Sequence, residues 1–224
     1  MKVLNLYAGI GGNRKLWQDV DVTAIELNPQ IAKIYQDFFP KDKVIVADAH
    51  QYLLEHFKEF EFIWSSRPCI THSKCNNFLH SQGIIRYPDF GLYEEIVFLD
   101  KWFTGKWCVE NVMPYYQPLI KPRITIDRHC FWTNFIIEPM KIKRDFNAVN
   151  AGGKKGEKRE TTHYKEMKNL QNYHRIIIEH YKVKGFGTRQ KTFALRNCVL
   201  PELGLHILNE SQKNIQPELF NKEM

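Results

Sequence analysis

Four short apolar runs at the start of the chain each end on a glycine turn, an acid or a cysteine loop. Residues 2–7 lead into Tyr7-Ala8-Gly9-Ile10-Gly11-Gly12, and Val20 to Ile25 lead to Glu26. Val44-Ile45-Val46-Ala47 ends at Asp48, and Phe60 to Trp64 delivers Ser65-Ser66-Arg67-Pro68-Cys69. The segments between read as helices: a start at Asn13-Arg14-Lys15-Leu16-Trp17, then Asn28-Pro29 to about Phe39 with Pro40 beyond its end, then 49–58. Strand and helix in strict alternation predict an α/β fold with a doubly wound, Rossmann-like parallel sheet. Such sheets bind their ligands at the carboxyl ends of the strands.

The residues at those ends suit that place. Glycines let the backbone turn sharply and approach a ligand closely. Glu26 lies roughly 20 residues beyond the first strand, where Rossmann-like folds hold ribose hydroxyls. Asp48, at the third strand's tip, suits the exocyclic amine of an adenine. The cofactor on this reading is a dinucleotide or S-adenosylmethionine, and glycine spacing does not choose between them. Pro68 fixes its own φ and pushes Arg67 towards extended backbone. Cys69 therefore stands on a stiff loop, where a thiol suits covalent catalysis. The plainer reading of Cys69 is a small buried hydrophobe.

At 224 residues the chain has room for one domain, or one domain with an insertion. It has no apolar run of about 18 residues, so no membrane span is expected. The N-terminus reads as an immediate first strand rather than a signal peptide. Five cysteines without paired short spacing argue against a disulfide framework or a zinc site and fit the cytoplasm. The net charge of +7 is unevenly spread: residues 141–191 hold fourteen Lys/Arg against five Asp/Glu. A near-neutral body with one basic segment points to a polyanion partner; the plainer reading is a solvated surface stretch.

Residues 70–88 read as an irregular loop able to close over a site. Asp89 then caps a helix from about Phe90 to Trp102. Trp107-Cys108-Val109 is a short buried strand ending in Glu110-Asn111-Val112, so another carboxylate stands at a strand tip near Cys69.

Tyr-Ala-Gly-Ile-Gly-Gly, Glu26, Asp48, Arg-Pro-Cys and Glu-Asn-Val, in this order, resemble the C5-cytosine DNA methyltransferases. The likeness continues in Arg128-His129-Cys130-Phe131-Trp132. It resumes at Leu195-Arg196-Asn197-Cys198-Val199-Leu200-Pro201, similar to the family's Gly-Asn-Ala-Val-Pro-Pro motif. The resemblance implies S-adenosylmethionine as cofactor, held by Tyr7, Gly9, Gly11, Glu26, Leu27, Asp48, Pro68, Leu92 and Asn197. It implies Cys69 as the nucleophile at cytosine C6, Glu110 as the group on the N3 and amine edge, and Arg128 as a further catalytic residue. The implied target is double-stranded DNA with the cytosine flipped out, and the implied enzyme is a monomer that serves a mobile element or a modification system. On this scheme residues 1–136 and 188–210 form the catalytic and cofactor domain. Residues 137–187 form a small basic target-recognition segment and 211–224 a polar tail. Lys154, Lys155, Lys158, Arg159 and Arg175 are the expected DNA contacts.

Two departures stand out. Arg67 replaces the Pro or Phe that usually precedes Pro-Cys, and the family's Arg-x-Arg reads Arg128-His129-Cys130. One hypothesis is relocation, with Arg67 supplying the guanidinium missing at position 130. The competing reading is a DNA-binding protein that keeps the fold but has impaired or altered catalysis. RNA methylation is a third reading; one tRNA-directed branch shares the scaffold, but its Cys-Phe-Thr tripeptide is absent. A dinucleotide oxidoreductase would leave Cys69, Glu110 and the C-terminal motif without a purpose.

Overall fold

A computed structural model describes residues 1–142, 159–182 and 185–213. Lys154, Lys155, Lys158 and the side chain of Arg159 lie outside the described part, as does the whole stretch 150–158. The elements in chain order are β1 (Lys2–Leu6), β2 (Asp21–Ile25), α1 (Pro29–Phe38), β3 (Lys43–Ile45), α2 (Ala49–His56) and β4 (Phe62–Ser65). They continue with α3 (Asn76–Ser81), α4 (Gly91–Trp102), β5 (Lys106–Val112), β6 (Ile124–Ile126) and β7 (His129–Thr133). Helices α5 (Arg159–His174), α6 (Thr188–Arg196) and α7 (Pro201–Gln212) complete them.

The sheet order is β3-β2-β1-β4-β5-β7-β6. Strands β1 to β5 run parallel, and β7 is antiparallel to both β5 and β6. The parallel part meets the expectation of a doubly wound α/β sheet; the hairpin β6–β7 adds an antiparallel edge to it. The chain winds outward from β1 to β3, then returns to place β4 on the other side of β1. That reversal opens a crevice beyond the ends of β1 and β4, the switch point where α/β sheets bind ligands.

Apolar side chains cover both faces of the sheet. Leu4, Leu6, Ile63 and Val109 pack under α2 and α4, with Leu53, Leu92, Ile96 and Leu99. Val3, Phe62, Trp64 and Phe131 pack on the other face under α7, with Leu203 and Ile207. Full burial of a ring such as that of Phe62 contributes about 1.5–3 kcal/mol. A third cluster joins Ile10 and Ile34 to Met167, Leu170, Ile176, Ile178 and Leu195, so α5 and α6 lean on the first part of the chain.

Local chemistry explains most boundaries. Asn28 caps α1, its Oδ1 accepting from Gln30 N at 2.9 Å, and Pro29 fills the first turn. Asp48 caps α2 through Gln51 N at 2.9 Å. Three expectations need correction. Residues 13–17 form turns rather than a helix, because α7 packs on this backbone: a Cβ on Gly204 would lie 2.2 Å from the Asn13 carbonyl oxygen. The loop 70–88 contains α3. The tail begins later than expected, since α7 runs to Gln212 with Glu210 and Ser211 buried. Among the described residues, no helix is long and apolar enough to cross a membrane.

Candidate active site

The glycine turn after β1 bends through left-handed backbone at alternate residues: Tyr7 (φ 54°), Gly9 (φ 56°) and Gly11 (φ 79°). At Gly9 a side chain would meet open space, so the backbone there is open to close approach. At Gly11 a Cβ would strike the Phe39 ring at 2.2 Å; this glycine serves packing of the turn. Gly12 lies under the C-terminal motif, where a Cβ would be 2.7 Å from both Cys198 Cβ and the Val199 carbonyl oxygen. Two motifs nearly two hundred residues apart thus touch. Asn197 caps α6 immediately before that contact and is exposed.

Glu26 closes the turn from β2. Its carboxylate accepts from Gly9 N at 3.0 Å and Asn28 N at 2.9 Å. Burial pushes the carboxyl up, partly offset by these backbone hydrogen bonds. Leu27, 68% exposed, presents a bare apolar face at the strand end. Asp48 is exposed and uses Oδ1 for its cap. Leu92 is a correction: it is 2% exposed and lies within the core under α4, so it offers no surface to a cofactor.

These residues fit S-adenosylmethionine. The open backbone at Gly9, the partly buried carboxylate of Glu26 that accepts from it and the exposed Leu27 put a hydroxyl acceptor and an apolar side chain together at the strand ends.

The cysteine loop follows β4. The Cys69 carbonyl accepts from His72 N and Ser73 N, both at 3.0 Å, which winds the loop tightly. Asn111 donates through Nδ2 to the Arg67 carbonyl at 2.9 Å. The asparagine of Glu-Asn-Val therefore holds the backbone two residues before the thiol. Tyr115 N donates to the His72 carbonyl at 3.0 Å, and Pro68 stays exposed.

Glu110 is 6% exposed and stands next to this loop, because β4 and β5 pair with Ser65 opposite Val109. Ser66 Oγ donates to Glu110 Oε2 at 2.8 Å and accepts from Trp64 Nε1 at 2.7 Å. Cys69 is half-buried. Its thiol is pushed up, first by burial and then by the Glu110 charge, while Arg128 pulls the other way. Cys69 is therefore held as a thiol at neutral pH. Exposed Cys75 should be alkylated by iodoacetamide well before Cys69 at pH 7, and the Cys69 rate should climb as pH rises through 9; peptide mass mapping over time checks both.

The two departures resolve in an unexpected way. Arg67 donates to Asp89 Oδ2 at 3.0 Å, Glu95 Oε1 at 2.6 Å and the Tyr7 hydroxyl at 2.8 Å. Its guanidinium is committed to the first strand and α4, so it does not stand in at Glu110, and relocation is set aside. Cys130 is not the residue facing Glu110 either. It lies one step along β7 and points into the opposite face, beside Thr125. The group on Glu110 is His129, with Nδ1 2.7 Å from Oε1. Strand alternation puts His129 and Phe131 on one face, and the register Glu110↔Phe131, which only the structure gives, sets that face against Glu110. Arg128 lies behind, donating to His129 Nε2 at 3.3 Å and to the Arg196 carbonyl at 2.8 Å.

Residues 1–84 match the C-5 cytosine-specific DNA methylase family. That segment of the methylase match holds the glycine turn, Glu26, Asp48 and the Cys69 loop; Glu110, Arg128 and Asn197 lie beyond it. The fold is similar to that of a Spodoptera frugiperda DNMT2 mutant, with a TM-score of 0.55 and 13% identity over 95% of this chain and 99% of that one. It is also similar to the Entamoeba histolytica methyltransferase EhMeth, at 0.52 and 11% identity over 94% and 97%. At such identities the likeness establishes a methyltransferase fold. No curated relative matches the chain.

The expected DNA-contact residue that is described, Arg175, sits exposed at the end of α5 in left-handed backbone (φ 53°), 3.3 Å from Glu202. Lys15 donates to the carbonyls of His174 and Arg175, tying this end of α5 to the glycine turn. His174 is buried among like charges. Burial first, then the Arg128 and Lys15 charges, push its pKa down to about 4. A histidine depressed from about 6.5 gives stability that is complete above 6.5 and lost as pH falls through 4. The loss is on the order of 3 kcal/mol, from about 1.4 kcal/mol per unit. Urea midpoints between pH 7 and pH 4 should fall accordingly, and His174→Phe should flatten the part of that slope between 6.5 and 4.

Proposed function

We propose that this protein transfers a methyl group from S-adenosylmethionine to C5 of a flipped-out cytosine in DNA, through a covalent Cys69–C6 adduct. The observation that carries the reading is the convergence of Cys69 and Glu110 at the C-terminal ends of β4 and β5, near enough for the Glu110 charge to act on the thiol. C5 of cytosine is a weak nucleophile. Addition of sulfur at C6, with a proton placed on N3, turns the ring into an enamine that reacts at C5. Glu110 supports that proton on N3 and accepts from the exocyclic amine. Tyr7, Gly9, Glu26, Leu27, Asp48 and Asn197 would hold the cofactor, which supplies an electrophilic methyl group when bound. A base then removes the C5 proton and the thiol leaves.

DNA is favoured as substrate by the basic stretch 141–191, which follows the catalytic strands and matches phosphate in charge. Incorporation of tritiated methyl groups should be measured with duplex DNA, single-stranded DNA and tRNA side by side. Transfer to duplex DNA, mapped by bisulfite sequencing, supports the reading and reports the target. Transfer to tRNA alone replaces DNA by RNA as substrate. Binding of DNA without transfer to any of the three supports the fold-retaining DNA-binding alternative.

A further inference from the structure

Glu110 is the base-edge carboxylate of the proposed reaction, and its partner is a histidine whose tautomer is dictated by its neighbours. His129 opens β7 opposite Val112, on the side of the sheet that carries Glu110 and Phe131. Its Nδ1 is 2.7 Å from Glu110 Oε1, and each of the two side chains is 8% exposed. Arg128 Nε lies 3.3 Å from His129 Nε2. A guanidinium can only donate, so Nε2 must accept and carry no proton. The ring proton therefore sits on Nδ1 and is donated to Glu110. Ser66 donates to the other carboxylate oxygen, its own hydroxyl oriented by Trp64. Each oxygen thus spends one lone pair on the protein and keeps one for a bound base.

We infer that His129 is the positioning residue for Glu110, acting as a neutral Nδ1–H donor whose tautomer is set by Arg128. The inference rests on the cytosine reading above. A fixed cation at this place would hold Glu110 as an anion; a neutral imidazole aims the carboxylate and leaves it free to exchange a proton with ring N3. The ionisable groups around the pair are Cys69 from its loop, the buried thiols Cys108 from β5 and Cys130 from β7, Arg128 from the β6–β7 turn and His174 from α5. Arg128 also donates to the Arg196 carbonyl, so the end of α6, next to Asn197, is joined to Glu110 by one chain of hydrogen bonds.

The test compares His129→Leu, which removes the donor, with His129→Asn, whose amide nitrogen reaches the place of Nδ1. Three quantities are read on the full chain: kcat and KM with duplex DNA, cofactor-free release of tritium from C5-labelled cytosine, and the urea midpoint. Tritium release needs only addition of Cys69 at C6, a solvent proton at C5, loss of the label and departure of the thiol, so it reports Glu110 without methyl transfer. His129→Leu should lower kcat and tritium release by about 100-fold, with KM within about threefold. His129→Asn should recover to within about tenfold of the wild type. Long-range nitrogen NMR of the wild type should show His129 as the neutral Nδ1–H tautomer. The inference is overturned if His129→Leu keeps wild-type kcat and tritium release, if folded His129→Asn is no better than His129→Leu, or if NMR shows the Nε2–H form or an imidazolium at pH 7. A wild-type protein with neither transfer nor release on any nucleic acid overturns the cytosine reading and this role with it. Activity that survives His129→Leu overturns the role alone.

Discussion

Cys69→Ser should reduce methyl transfer by about 10,000-fold or more, the largest single effect expected in this chain. A hydroxyl is a far weaker nucleophile than a sulfur anion, and the site offers it no strong base. Glu110 is the carboxylate whose charge acts on Cys69, but it already accepts from His129 and Ser66 and is placed for the base edge. The substitution changes one atom on a loop held by its own backbone and by Asn111, so folding should be untouched. Glu110→Gln should cost less, roughly 100- to 1,000-fold, because it removes proton support and leaves the nucleophile. The two together should fall little below Cys69→Ser alone, since residues acting on one step do not add. Duplex DNA carrying 5-fluorocytosine gives the qualitative check. The wild type should yield a denaturation-resistant protein–DNA band and Cys69→Ser none. Transfer by Cys69→Ser within tenfold of the wild type would remove the covalent mechanism.

Much of this site was legible in the sequence because local rules place it. A strand followed by glycines, an acid at the next strand end and a cysteine after proline are each defined within a few residues. Parallel winding then brings them to one edge of the sheet. What stayed hidden depends on register and on distant packing. Position 130 looked like the vacant arginine site, yet the β5–β7 register turns His129 towards Glu110 and Cys130 away from it. Arg67 looked like a replacement cation, yet its partner Glu95 lies 28 residues on, in a helix with no sequence cue linking the two. The helix expected after Gly12 is absent because Gly204, far along the chain, packs against Asn13. Leu92 fitted both a cofactor wall and a core position, and only its burial separates them.

Glu95→Ala is the substitution expected to damage stability most. The Glu95 side chain is fully buried and accepts from Tyr7 Oη, Ser65 Oγ and Arg67 Nη1, each at 2.6 Å, and from His50 Nδ1 at 3.1 Å. Burial alone would raise its carboxyl, but these donors and the Arg67 charge outweigh that and hold it below the usual range. Truncation strands several groups at once. Arg67 keeps Asp89, which is partly exposed, as its ion-pair partner, while the Tyr7 hydroxyl loses the acceptor that helps hold this residue in left-handed backbone. Removing one member of a buried ion pair costs about 3–5 kcal/mol. For a chain of this size that corresponds to a fall in Tm on the order of 10 °C. Arg67→Met should cost less, since Glu95 would keep three donors, Tyr7, Ser65 and a His50 whose pKa Glu95 raises, and Asp89→Ala less again, about 1 kcal/mol at most for an exposed partner. A carboxyl depressed in the folded state gives stability that is present above its unfolded pKa and lost as pH falls through the folded value. The gap between wild type and Glu95→Ala should therefore be full at pH 7 and shrink in acid. Urea unfolding of the three variants at pH 7 and pH 4 measures the order, and a Glu95→Ala midpoint equal to that of the wild type would mean that the network around Arg67 does not hold the cysteine loop to the first strand.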